Sequence, residues 1–249
     1  MKKWIIVLII LALAVFAFTG CDGVIPSEGE GEGEGEGEGE VEVKQVVLVE
    51  AYVADGCASC VVVEPYLEQL ADEYGLDEMV LVEVIPWNLY SIPEAKLRYQ
   101  WYALTPSGTP QMMFNGLTNA LVGSQSFSTI KTRIEAQLNV TPKVSIQASR
   151  TASSDTSTIS GTIKNIGDTT LTNLVINGMA FKNRGDFPYA VTDIFDDDQV
   201  SIASLAAGES KSFSMTLEGI NWDGEGKDGV IFVQETTGKK TVRQSLFIN

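Results

Sequence analysis

The sequence predicts two folded segments in series, an α/β segment over 43–140 and an all-β sandwich over 143–249. Two patterns carry that prediction. In the first segment, β-branched apolar runs of the kind that form buried parallel strands alternate with amphipathic helical stretches. After Thr141-Pro142 the helical periods stop, Ser and Thr become frequent, and short alternating runs follow one another between turn residues. With 249 residues, 44% of them apolar, the chain is long enough for one or two such cores.

Val46 to Val53 is apolar and long enough for a buried strand. Ala54-Asp55-Gly56 leads into Cys57-Ala58-Ser59-Cys60. From Val61 to Tyr74 the pattern is helical, with Leu67, Leu70 and Ala71 on one face, Glu64, Glu68, Asp72 and Glu73 on the other, and Gly75 as the stop. Met79 to Ile85 reads as a second buried strand, and Pro93 to Tyr102 as a second helix opened by Pro93-Glu94. Gln111 to Phe114 is a third strand, turning at Asn115-Gly116 into Ala120 to Val122, and Phe127 to Leu138 is a closing helix. The sandwich strands are Val144 to Ala148, Thr158 to Lys164, Leu171 to Ile176, Val200 to Ile202, Ser212 to Leu217, Val230 to Gln234 and Thr241 to Phe247.

Composition excludes several chemistries. With no histidine there is no Ser-His-Asp or Cys-His catalytic unit, no His-ligated metal and no imidazole base. A net charge of −16 leaves no clustered bases to neutralise phosphate, so no nucleic-acid partner is expected. Half of that charge comes from the eight glutamates at alternate positions from Glu28 to Glu42. Gly-Glu alternation has no apolar surface to offset ordering entropy, so residues 21–42 read as an extended tether reaching about 60–70 Å. Ahead of it, Lys2 and Lys3 precede fifteen apolar residues from Trp4 to Phe18, the form of an export signal. Phe18-Thr19-Gly20-Cys21 resembles the lipobox of bacterial lipoproteins, departing from it in having Phe18 where that family prefers Leu. The resemblance implies a signal peptide over 1–20, lipid on Cys21, and a folded part held outside the cytoplasm on a membrane. An uncleaved N-terminal anchor is the alternative.

Cys57-x-x-Cys60 on the turn leaving the first strand, Pro65 five residues later, and Gly108-Thr109-Pro110-Gln111-Met112-Met113-Phe114-Asn115-Gly116 stand in order over the whole first segment. Together they resemble the thioredoxin superfamily. The resemblance implies an α/β thioredoxin-like fold, a cis peptide at Pro110, and Thr109-Pro110 lying against the cysteines where an extended substrate chain pairs with the exposed backbone. The strand texts Gly161-Thr162-Ile163-Lys164-Asn165-Ile166-Gly167 and Leu205-Ala206-Ala207-Gly208-Glu209-Ser210 look like bacterial immunoglobulin-like modules, which implies an immunoglobulin-like β-sandwich. Behind a redox domain such a module could bind a partner, position the site or dimerise.

A helix N-terminus stabilises a thiolate, so Cys57 is the expected nucleophile and Cys60, one turn on and more buried, the resolving thiol. Ser59 is either a donor to the Cys57 thiolate or a solvent-facing residue. An inert disulfide and a metal site are the competing readings of the pair. The first would close too short a loop to stabilise much, and the second lacks ligands, so no metal and no cofactor are expected. The thioredoxin pattern has an Asp six residues before the nucleophile, where this chain has Ala51, and a Trp just before the first cysteine, where it has Gly56. Glu83, or second to it Glu50, is the candidate to move the proton of the resolving thiol; the plain alternative is that Glu83 is a partly exposed strand residue. The expected function is a membrane-anchored, extracytoplasmic thiol-disulfide oxidoreductase acting on cysteine-containing exported proteins or a redox partner. A non-enzymatic surface binding or assembly lipoprotein is the second reading.

Overall fold

A computed structural model describes residues 43–104, 108–153, 156–219 and 222–249. The expected signal peptide, Cys21 and the Gly-Glu tether lie outside the described residues.

The first segment contains β1 (Val47–Tyr52), α1 (Cys60–Tyr74), β2 (Met79–Val84), α2 (Pro93–Tyr102), β3 (Gln111–Phe114), β4 (Leu121–Val122) and α3 (Phe127–Leu138). β1 runs parallel to β2 and antiparallel to β3, which pairs with β4. Every residue of β1, β2 and β3 is buried because both faces of the sheet are covered. Val47, Val49 and Ala51 face Val63, Leu67 and Leu70 of α1 and Ile130 and Ile134 of α3. Leu48 and Tyr52 face Ala95, Tyr99 and Tyr102 of α2. Gly75 ends α1 at φ 70°, donating its N–H to the Ala71 carbonyl. Ser126 caps α3 by accepting the Thr129 N–H at 3.2 Å. Asn115-Gly116 is not a two-residue hairpin. The Asn115 side chain accepts the Leu48 N–H at 2.8 Å and its carbonyl accepts the Val242 N–H at 3.1 Å, and a 3-10 turn over Leu117–Asn119 follows before β4.

The second segment contains β5 (Val144–Ser153), β6 (Thr156–Asn165), β7 (Leu171–Lys182), β8 (Ala190–Ile194), β9 (Val200–Leu205), β10 (Ser210–Glu218), β11 (Asp228–Glu235) and β12 (Val242–Ile248), with one helical turn at Trp222–Glu225. The expected strands are found, mostly longer than the alternation suggests, and β8 is an additional one.

The expected fold class, an α/β thioredoxin-like fold plus an immunoglobulin-like sandwich, is corrected by the sheet topology. Strands predominate among the described residues, and one mixed nine-stranded sheet, ordered β12-β11-β7-β8-β2-β1-β3-β4 with β9 beside β7, passes through both segments. The physical reason is an open edge. β2 would otherwise present unpaired backbone groups, and β8 takes that edge in parallel: Glu83 pairs with Ala190, and its N–H donates to the Tyr189 carbonyl at 2.9 Å. The element order over 47–138 is compatible with a thioredoxin-like arrangement but does not by itself describe the molecule.

The sheet also curls. β12, at one end of the strand order, returns to the start of β1: Val46 N–H donates to Gln244 Oε1 at 2.9 Å and Ser245 Oγ to the Val46 carbonyl at 3.1 Å. Inside the curl lies a core shared by both segments, in which Leu48, Val80, Val82, Tyr99 and Tyr102 meet Met179, Phe181, Val230 and Phe232. On the outer face of β7, β9, β11 and β12, the separate sheet β10-β6-β5 closes a sandwich core around Ile176, Ile231, Ile163, Met215 and Trp222.

Candidate functional site

Cys57 sits just ahead of α1 and Cys60 is its first residue. Gly56 makes the approach at φ +71°, a left-handed conformation that glycine adopts without cost. The Cys57 carbonyl accepts the N–H groups of Cys60 and Val61 at 3.0 and 3.4 Å, winding the first turn. The two sulfurs form a disulfide, with the Cα atoms 5.3 Å apart. Their exposures differ: Cys57 is half-buried, whereas Cys60 is 1% exposed and packed beneath α1. Attack from outside can therefore reach only Cys57.

Two donors converge on the Cys57 sulfur, the Cys60 N–H at 3.2 Å and the Thr109 hydroxyl at 3.3 Å. Both favour a thiolate there, as does the positive end of the α1 dipole. Thr109 precedes a cis bond to Pro110, and its hydroxyl bond to the sulfur sets Thr109 next to Cys57. Ser59 is exposed and its hydroxyl makes no cap bond to α1. Val61 and Val62, 67% and 45% exposed, put an apolar surface next to the pair.

Glu83 is a buried carboxylate, not a partly exposed strand residue: it is 1% exposed. Burial pushes its pKa up to about 8, against the opposing effect of the Tyr189 N–H, which donates to its Oε2 at 2.9 Å. It pairs with Ala51 on β1 and, by strand alternation, shares the α1 face with Leu81. Glu64 is the residue the sequence reading misses. Assigned to the solvent face of α1, it stands one turn after Cys60, with Oε1 buried and without a hydrogen-bond partner among the described residues. Burial, then the charges of Glu68 and Asp186, raise its pKa to about 7, and its charge in turn raises that of Glu83. The available signal was its position four residues after Cys60 and three before Leu67, at the edge of the buried stripe.

Glu50 points to the other side of the sheet, away from the cysteines. There it pairs with Arg98, whose Nη2 donates to Oε2 at 3.0 Å, and accepts the Tyr102 hydroxyl at 2.6 Å. Gln234 of β11 completes this network, accepting from Arg98 Nη2 at 3.1 Å and donating to the Tyr102 oxygen at 2.7 Å. Among the described residues no group of three or more acidic, Cys or His side chains is placed to hold a metal ion.

No protein-family model and no curated protein matches the chain. Solved structures do. HBP35 of Porphyromonas gingivalis superposes with a TM-score of 0.65 at 17% identity, over 82% of this chain and 74% of that one. A structural-genomics protein of Agrobacterium tumefaciens superposes with a TM-score of 0.56 at 16% identity, over 82% and 94% of the two chains. At these identities the likeness is one of fold. It extends across most of the chain, so the continuous sheet is an architecture with solved counterparts.

Proposed function

We propose that this chain is a membrane-anchored, extracytoplasmic thiol-disulfide oxidoreductase that exchanges disulfides with cysteine-containing exported proteins or a redox partner. The observation that carries the reading is the Cys57–Cys60 disulfide at the N-terminus of α1, with one sulfur accessible, one buried, and the Thr109 hydroxyl on the accessible one.

In the reduced protein the Cys57 thiolate attacks one sulfur of a substrate disulfide, forming a mixed disulfide and expelling the other substrate sulfur as thiolate. Cys60 then loses its proton and attacks Cys57 Sγ. The Cys57–Cys60 bond forms, the second substrate thiolate leaves, and two electrons have passed to the substrate. The reverse sequence oxidises a substrate dithiol. A buried thiol needs a nearby base to release its proton, and Glu83, with Glu64 beside Cys60, is our choice for that base. Thr109-Pro110 would hold the substrate chain against Cys57.

Reduction of insulin disulfides by the chain with dithiothreitol as electron source tests the reading. The wild type turns over, Cys57→Ser does not, and Thr109→Ala, which loses a hydrogen bond to the thiolate, is slower by about tenfold. Equal background rates in wild type and Cys57→Ser would overturn it. The anchor is tested separately: labelled fatty acid is incorporated by the wild type and not by Cys21→Ala, and the folded part is cleaved by protease added outside intact spheroplasts.

A further inference from the structure

α2 is ten residues long, and it covers the inner face of the curled sheet only as far as β11 and β7. Beyond its outer side a cleft of about 400 Å³ opens toward β9, walled by Leu97, Arg98 and Trp101 from the helix and by Asn177, Asp196 and Gln234 from the sheet side. That volume is in the range of small-molecule sites. The cleft lies on the α2 face of the sheet, opposite the face on which α1 carries the cysteines.

Its polar groups are specific. Arg98 is 5% exposed. Its Nε and Nη2 are taken up by Glu50, Tyr102 and Gln234, while Nη1 has no partner among the described residues. Arg98 is one of the residues that line the cleft. Across from it, Asn177 Nδ2 donates to Asp196 Oδ1 at 2.7 Å, which orients the carboxylate and leaves Oδ2 to accept. One wall therefore offers N–H donors and the other an oriented acceptor. Leu97, 58% exposed, and the Trp101 indole supply an apolar side.

Charge narrows the ligand further. Glu50 neutralises Arg98, so the guanidinium brings donors without net positive charge. Next to this cleft is a second one of about 360 Å³, edged by Glu94, Asp193, Asp197 and Asp198, which repels anions. A hydroxyl both donates and accepts, so a polyhydroxylated ring satisfies Arg98 Nη1 and Asp196 Oδ2 with one kind of group while its C–H face covers the exposed Leu97. We infer that this cleft is a binding site for a neutral carbohydrate of one or two rings, separate from the cysteine site.

The experiment is saturation-transfer NMR on the full chain in a sugar-free detergent. The probes are glucose, galactose, mannose, maltose and cellobiose, with glucuronate as the anionic comparison. At least one neutral sugar is expected to receive saturation at its ring C–H protons, with a Kd below about 10 mM. Asp196→Ala removes the acceptor, and Ser201→Trp, at an exposed position in the cleft wall, fills the space. Each is expected to weaken binding at least tenfold while the circular dichroism spectrum stays that of the wild type. Since Asp196→Ala also strips a partner from Asn177, Ser201→Trp is the decisive variant if the first is destabilised. No transfer to any neutral sugar, undiminished binding in Ser201→Trp, or glucuronate binding as tightly as the best neutral sugar would each overturn the inference.

Discussion

Glu83 and Glu64 are two carboxylates that fold into surroundings where the charged form is disfavoured, chiefly by burial. Their pKa values rise from 4.5 to about 8 and about 7. The folded state therefore binds more protons than the unfolded chain between these limits, so the stability these two groups contribute is fully present below pH 4.5 and is lost as pH rises through about 7 and 8. For a fully buried group such as Glu83 the slope is at most roughly 1.4 kcal/mol per pH unit. Urea unfolding midpoints should fall between pH 5 and pH 8.5, and Glu83→Gln, which still accepts from Tyr189 N–H, should flatten most of that fall. The same variant should move the pH profile of insulin-disulfide turnover if Glu83 takes the Cys60 proton; an unmoved profile would remove Glu83 from the mechanism. The cysteine pair was legible from its spacing and neighbours. The burial of Glu83 and the position of Glu64 were not, because an acidic residue in a strand or at a stripe edge looks the same in sequence whether solvent or another chain segment covers it.

At the scale of elements, α2 is held by a polar network and not by amphipathicity alone. Arg98 bridges Glu50 on β1 and Gln234 on β11, with Tyr102 bonded to both carboxylate and amide. Removing one partner of a buried ion pair leaves the other charge uncompensated, at a cost of about 3–5 kcal/mol. Arg98→Met and Glu50→Gln should each lower stability by that order in urea titrations at pH 7, the first leaving the Glu50 carboxylate and the second the Arg98 guanidinium without its countercharge. A second close approach joins the short helical turn at Trp222 to β11. A Cβ at Gly229 would fall 2.3 Å from Trp222 Cη2, so Gly229→Ala should cost about 1–3 kcal/mol by overpacking. Helix and strand positions followed from periodicity. β8 escaped because Ala190-Val191-Thr192-Asp193-Ile194 is short and has no strict apolar-polar alternation, and its role comes from the β2 edge it covers.

For the whole molecule, the shared inner core has a thermodynamic consequence. Phe181, Met179, Val230 and Phe232 cover Val80, Val82 and Tyr99, and β12 bonds back to Val46. Neither segment can unfold without exposing apolar surface of the other, so residues 43–249 should melt in one transition with calorimetric and van't Hoff enthalpies equal. Two resolved transitions, or an independently cooperative fragment 43–140, would contradict this. The sequence alone determined most of the strands and the three long helices, where the reactive-looking cysteines lie, and that half of the net charge belongs to a Gly-Glu spacer, since periodicity, spacing and composition are local properties. Only the tertiary structure decided that the two segments share one sheet, that Glu50 pairs with Arg98 while Glu83 lies toward α1, and that a cleft remains beside α2. Those outcomes depend on contacts between residues up to about two hundred positions apart, such as Val46 with Gln244, and on which open strand edge finds a partner; no local pattern encodes either.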